Sequence, residues 1–368
     1  MSTPSWLGSR QSLALIDLPL SRWDNAVLSG PGKSHRSQNF SMPLIKALPV
    51  KGDYSQNYVE LRLRLLEETN GAYNAFVREL RANYRRAWFD IALGYVWLLA
   101  VLYVVQVFRE PVWLGVAIIV GSILIGYGVA YIQLFLHEAA HFNLAPDRRL
   151  NDVLTDAFVS WFIGTDIQGY RTVHFEHHRK LGETDDSERS YFNALTPGFL
   201  LATLTGFHAL QVLTLRGNET AEARKSRMPL IRGMLIHMGI IGGLLAVGAW
   251  PSAIAWILGM GIFFPFFGTI RQILEHRGAE ANPVANYAEI PHGAHTRIFG
   301  TGVFSSTFGG AGFNRHLLHH WEPQISYTRF ADFEEYLLDT SAASVIESRR
   351  STYWRTFKEI LKRDHVRR

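Results

Sequence analysis

The chain has 368 residues, 48% of them hydrophobic and 19% charged, with a formal net charge of +5 and no cysteine. The missing cysteine excludes disulfides, iron–sulfur ligation and Cys-based haem attachment. The apolar residues gather in long uncharged runs, so the length reads as a polytopic membrane protein and not as two soluble domains. The basic excess flanks those runs, and no separate basic module points to nucleic acid.

Residues 1–57 are polar, with scattered Pro, Ser and Gly, and are expected to form a partly disordered tail without a cleavable signal. From Tyr58 to Arg86 the pattern is helical, broken at Asn70-Gly71, and reads as a solvated or interfacial amphipathic helix. Residues 91–108 and 111–136 carry no charge and predict two membrane spans. Residues 233–270 are uncharged too and predict two more, 233–250 and 251–270, with a turn near Trp250-Pro251. The apolar stretch 190–215 predicts an interfacial or re-entrant helix started by Pro197. A crossing there would separate the histidine motifs described below. Residues 58–336 are therefore the expected membrane-embedded body, followed by a charged helical tail over 337–368.

The expected fold is all-α: four transmembrane helices in two hairpins, with a cytosolic helical cap. Orientation follows from the basic residues. Arg78, Arg81, Arg85 and Arg86 precede the first span, and Arg216, Arg224, Lys225, Arg227 and Arg232 precede the third. Arg271 and Arg277 follow the fourth, whereas the outer turns hold only Arg109. The positive-inside rule then places both termini and the cap in the cytoplasm.

Eight of the fifteen histidines fall in three five-residue boxes. They are His137 and His141, then His174, His177 and His178, then His316, His319 and His320. Clustered imidazoles serve mainly as transition-metal ligands. On a helix, residues i and i+4 share a face, and the two adjacent histidines of the later boxes fan about 100° apart. Such a fan can reach two metal centres, and eight ligands exceed the three or four of one zinc site. A dinuclear site or two sites follow; the metal itself stays open, since imidazole suits zinc, copper, iron and nickel alike. The first box is also His-Glu-x-x-His, the signature of a zinc metalloprotease with Glu138 as general base. That reading leaves the other two boxes unexplained.

The boxes and their flanks resemble the membrane-bound fatty acid desaturase family from about Trp88 to Tyr336. The similar segments are HEAAHFNLAPDRRLND, YRTVHFEHHRKLGETDDSERSYF with its acidic Asp185-Asp186, ILEHRG, HTRIFGT and GFNRHLLHHWEPQISY. The resemblance implies a ninth ligand, His276, and an all-histidine site holding two non-haem irons. It implies O2 as co-substrate and a lipid or acyl-chain substrate in the membrane. Desaturation is favoured, with lipid or alkane hydroxylation and carotenoid ketolation as the alternatives within the superfamily. The chain shows no dinucleotide fingerprint, haem-binding motif or iron–sulfur cysteines. Electrons are therefore expected from a separate protein of ferredoxin or cytochrome b5 type. The expected location is a bacterial inner membrane, with the site on its cytoplasmic face.

The remaining residues start from bland readings. His208 and His237 are expected to be hydrogen-bonded packing residues, and His292 and His295 solvated. Glu138, Glu176 and Glu275 are candidates to orient metal-bound histidines, or simply salt-bridged. Asn314 matches the family without an evident role. Gly309-Gly310-Ala311-Gly312 reads as a flexible connection. Trp88, Trp97, Trp113 and Trp256 read as interfacial anchors first and channel lining second.

Overall fold

The computed structural model describes residues 58–181, 183, 186, 188–189, 193, 195–208, 211, 227–277 and 296–364. The tail 1–57, Asp185, Arg216, Arg224, Lys225, His292 and His295 lie outside the described residues. The described chain is helical, with one isolated bridge between Ile298 and Arg350 in place of any strand.

Four helices are long and apolar enough to cross a membrane: Tyr84–Val107, Pro111–Ala140, Met228–Ala246 and Trp250–His276. They outrun the predicted spans at their charged ends. The first begins at an Asn83 cap, whose side chain accepts from Arg86 N, and so takes in Arg85 and Arg86. The fourth takes in Arg271 and ends at His276. Hydropathy senses only the part of a helix that lies in lipid, whereas the helix itself continues until its caps stop it. The turn between the third and fourth helices falls at Val247, Gly248 and Ala249, two residues before the expected Trp250-Pro251. Gly248 takes a left-handed φ of 70°, and Pro251 instead occupies the first turn of the next helix.

Close contacts at glycines set the directions. A Cβ on Gly94 would strike Ile132, one on Gly128 would strike Trp97, and one on Gly121 would strike Val105. The first and second spans are thus antiparallel. Gly121 also faces Ala255, Gly259 faces Ile125, and Gly126 faces Phe263. The numbers rise together, so the second and fourth spans are parallel. Their C-terminal ends, which carry His137 and His276, therefore lie on the same side. At the other end Arg109 Nη2 donates to Gly248 O at 3.0 Å, tying the two connecting turns together. Ser252 Oγ adds a 2.7 Å bond to Leu102 O. The fourth span contains a π-helical turn at Gly259–Phe263.

The stretch Tyr58–Arg86 forms helices Tyr58–Glu68 and Ala72–Glu79, broken at Asn70 and Gly71, both of positive φ. It is docked, not solvated. Leu61, Leu65 and Tyr73 are buried against Leu317, Leu318 and Phe333, and Tyr73 Oη donates to Glu322 at 2.7 Å. The C-terminal helices pack as well. Leu337, Val345 and Ile346 join this core, and Tyr353 and Ile360 join a second one with Phe299 and Phe308. Pro197–Leu204 is a short helix, capped by Thr196, with proline in its first turn. Eight residues span about 12 Å, far too little to cross a bilayer.

Candidate metal centre

The first box closes the second span. His137 lies in its last turn and His141 is its C-cap. The carbonyls left over at that end are occupied: Asn151 Nδ2 donates to Ala139 O at 3.0 Å, and Arg171 Nε donates to Ala140 O at 2.9 Å. Arg171 is itself braced by Asp152. Helix C-termini need such partners when buried, and here they also fix where the two imidazoles point. The second box rides on helix Ile167–Arg179 and the third on helix His316–Trp321. His276 is the last residue of the fourth span.

All nine histidines come together, in two adjacent groups. His137, His141, His174, His178 and His319 converge within 4.8 Å of one another, as do His177, His276 and His320. His316 joins the second group through Nε2···Nε2 distances of 2.9 Å to His276 and 3.1 Å to His320. In the first group His141–His174, His174–His178 and His178–His319 are 2.8, 3.0 and 2.8 Å apart at Nε2. The fan predicted from spacing sorts the ligands. The i,i+4 pairs His174/His178 and His316/His320 each serve one group. His177 and His319, three residues after the first histidine of each box, serve the opposite one. The His178 and His320 ring centroids are 4.7 Å apart, so the groups are neighbours.

These residues fit a metal pair. Two nitrogens bound to one ion at about 2.1 Å lie roughly 3 Å apart when the angle at the metal is near 90°. Imidazoles without a metal have little reason to aim Nε2 at Nε2 across that gap. Both ring nitrogens of buried His137 lack a hydrogen-bond partner among the described residues. Burial depresses the protonation of His174, His178, His316, His319 and His320, and takes His141 down to about 3. Their lone pairs are thus available at neutral pH. Five imidazoles in one group exceed a tetrahedral zinc shell.

A family profile described as fatty acid desaturase matches residues 111–351. The chain belongs to the fatty acid desaturase family. No curated protein matches it closely enough to serve as a relative. The family makes this an oxidoreductase of the lipid desaturase and oxygenase superfamily, acting on lipid in a membrane context. The histidine groups and the four apolar helices fit a metal-binding integral membrane protein.

Among the described residues, the carboxylate seen to orient a histidine of this desaturase-family centre is none of the three picked from sequence. Asp186 sits 2.8 Å from His177 Nδ1. Its only sequence signal was the acidic stretch after the second box. Glu138 accepts instead from Ser326 Oγ and Tyr327 N. Glu176 pairs with Lys180 and Arg179, and Glu275 with Arg271. Asn314 acquires a role: its side chain donates to Gly300 O at 2.8 Å and its carbonyl accepts from Phe299 N at 2.7 Å. It thereby locks the preceding loop onto the third box.

The glycine run is a packed turn and not a flexible connection. A Cβ on Gly310 would fall 2.6 Å from the Tyr131 ring, and Gly312 has φ +86° with Tyr327 at 2.5 Å. His237 is a hydrogen-bonded packing residue as expected, between Phe162 O and Trp256 Nε1. His208 packs on Phe199 and faces a cavity of about 490 Å³. His137, His174, His177, His276 and His316 are among the residues that line that cavity. Phe162, Leu230, Met234, Met260 and Phe264 supply apolar lining. The four tryptophans considered as lining do not reach it; Trp88 donates to Leu144 O and Trp97 to Leu124 O.

Proposed function

We propose that this protein is an O2-dependent diiron oxidoreductase that introduces a double bond into a long apolar acyl chain. The observation that carries the reading is the pairing of two histidine groups, five and four, along the wall of a largely apolar cavity. His137, His141, His174, His178 and His319 would hold one iron, and His177, His276, His316 and His320 the other. Irons bound there would supply O2 activation and removal of hydrogen from an unactivated C–H bond. The protein's own part is positioning. Its buried, neutral imidazoles fix the ligand field, Asp186 fixes the orientation of His177, and the cavity presents one carbon of the chain to the site while excluding bulk water.

In this reading the four spans form two hairpins. The histidine-bearing cap faces the cytoplasm of a bacterial inner membrane, where a ferredoxin or cytochrome b5 type donor delivers electrons. The lipid enters from the bilayer. The test is incubation of the metal-loaded protein with membrane lipids and a reductase system, with and without O2, followed by mass spectrometry. Loss of two hydrogens, only with O2 and reductant, is expected. Gain of one oxygen would place the chain with the hydroxylases or ketolases, and product formed without O2 would sink the proposal.

A further inference from the structure

The apolar segment that precedes the third span is fastened to the fourth span at three levels. Arg277, just past the end of the fourth span, donates through Nη1 to Asn193 O at 2.6 Å. Further along, Leu195 and Phe199 pack on the cluster that contains Ile273 and Leu274. Last, a Cβ on Gly206 would strike Gly261 O and lie 3.5 Å from the Pro265 ring. Numbers rise along the segment as they fall along the span, so the two run antiparallel. Gly261 lies about 24 Å of helix axis from Arg277.

That distance is deep in membrane terms. Residues 251–270 of the fourth span carry no charge. They cover about 30 Å of helix axis, the thickness of a bilayer's hydrocarbon layer, and Gly261 stands at their centre. The third span begins at Met228 on the same side as His276, because the turn at 247–249 reverses the chain. The chain has therefore returned to the histidine side by Met228, so the descent to Gly206 is not a crossing. It is also too deep for a helix lying flat in the interface.

We infer that residues 195–208 form a re-entrant segment whose tip at Gly206 reaches the bilayer midplane, where Leu204 and Phe207 meet lipid acyl chains. Helix Pro197–Leu204 is about 12 Å long, too short for a span and suited to half of one. Leu201, Leu204 and Phe207 are each more than half exposed, which water would penalise and acyl chains do not. Thr205, exposed among them, turns its hydroxyl back to Leu201 O at 2.9 Å. The irregular backbone at Thr205 and Gly206 lies against Gly261, and non-helical chain at membrane depth needs protein cover of this kind. Gly206 and His208 line the cavity, whereas Leu201, Leu204 and Phe207 do not. One side of the segment is thus cavity wall and the other is lipid contact. The inference rests on the four long apolar helices being spans, and not on the reaction proposed for the histidines.

The experiment uses the full chain, metal-loaded, in nanodiscs. The chain has no cysteine of its own, so Leu201→Cys, Leu204→Cys and Phe207→Cys each carry a single nitroxide label. Ile257→Cys, exposed one turn from Gly261, is the mid-membrane reference, and Ala331→Cys, exposed beyond the third box, is the aqueous one. The readout is the collision rate with O2, which dissolves in hydrocarbon, divided by that with a water-soluble nickel chelate. At Leu204→Cys and Phe207→Cys the ratio should match Ile257→Cys and exceed Ala331→Cys several-fold, with Leu201→Cys shallower. The labelled positions are exposed, and metal content equal to wild type certifies the fold. Ratios at Leu204→Cys and Phe207→Cys no higher than at Leu201→Cys would make the segment interfacial and overturn the inference. Low collision with both probes would mean that a second copy of the chain covers this face, and overturns the lipid partner. A water-like ratio at Ile257→Cys overturns the spans themselves, and with them the membrane setting of the proposed function.

Discussion

Asp186 accepts a 2.8 Å hydrogen bond from His177 Nδ1, with both side chains buried. A carboxylate on Nδ1 makes that nitrogen the proton carrier and leaves Nε2 with the lone pair. Asp186 also receives the backbone N–H of Glu188 at 2.9 Å, so the same carboxylate anchors the segment that follows the second box. Asp186→Asn should lower metal affinity about 10–100-fold while leaving the fold intact. Chelator competition on the purified variant checks this. Wild-type retention of both metals would show that Asp186 serves only its loop.

The two-group arrangement predicts a stoichiometry. Wild-type protein should hold two metal ions per chain. His141→Ala strikes only the five-membered group, and His276→Ala only the four-membered one. Each should retain about one ion and lose O2-dependent activity, because the reaction needs the pair. Metal analysis of the two variants separates this from a single shared site, where either change would empty everything.

The topology can be read directly because the chain has no cysteine of its own. Glu110→Cys, beside the turn that meets Gly248, should react with a membrane-impermeant thiol reagent only from outside the cell. Ala331→Cys, exposed beyond the third box, should react only after the cells are opened. Labelling of Ala331→Cys in intact cells would invert the proposed orientation.

Gly310→Ala places a methyl group 2.6 Å from the Tyr131 ring, inside a buried turn. Overpacking of this kind costs about 1–3 kcal/mol. The thermal midpoint should fall, and metal retention should fall with it, since the turn leads straight into His316. Tyr131→Leu in the same chain should restore part of both. A variant as stable as wild type would mean that the turn yields without strain.

The parts legible in the sequence were those with local signatures. Two uncharged runs and a longer one marked four spans, and i,i+3,i+4 spacing foretold that His177 and His178, or His319 and His320, would diverge toward different partners. His276 had no local signature. A lone histidine after a span is ordinary, and only the family resemblance singled it out. The orienting carboxylate was sought next to the ligands, at Glu138, Glu176 and Glu275. The one seen to face a histidine among the described residues, Asp186, lies nine residues beyond His177, where no helical periodicity would place it beside that ring. Gly309 to Gly312 looked loose because composition cannot reveal Tyr131 and Tyr327 pressing on them. The docking of Leu61, Leu65 and Tyr73 on the third box depends on contacts across more than 240 residues, beyond the reach of any pattern along the chain.

The π-helical turn at Gly259–Phe263 sets the phase of everything after it. A π-turn carries one residue more than a regular turn, and one residue is about 100° of rotation and 1.5 Å of rise. Removing a residue here would leave an unbroken, more regular helix. It would also swing Thr269, Gln272 and His276 around the axis, away from the cavity and the other histidines. The span would gain regularity and lose its aim, so a deletion that any hydropathy plot would tolerate is one the centre could not survive.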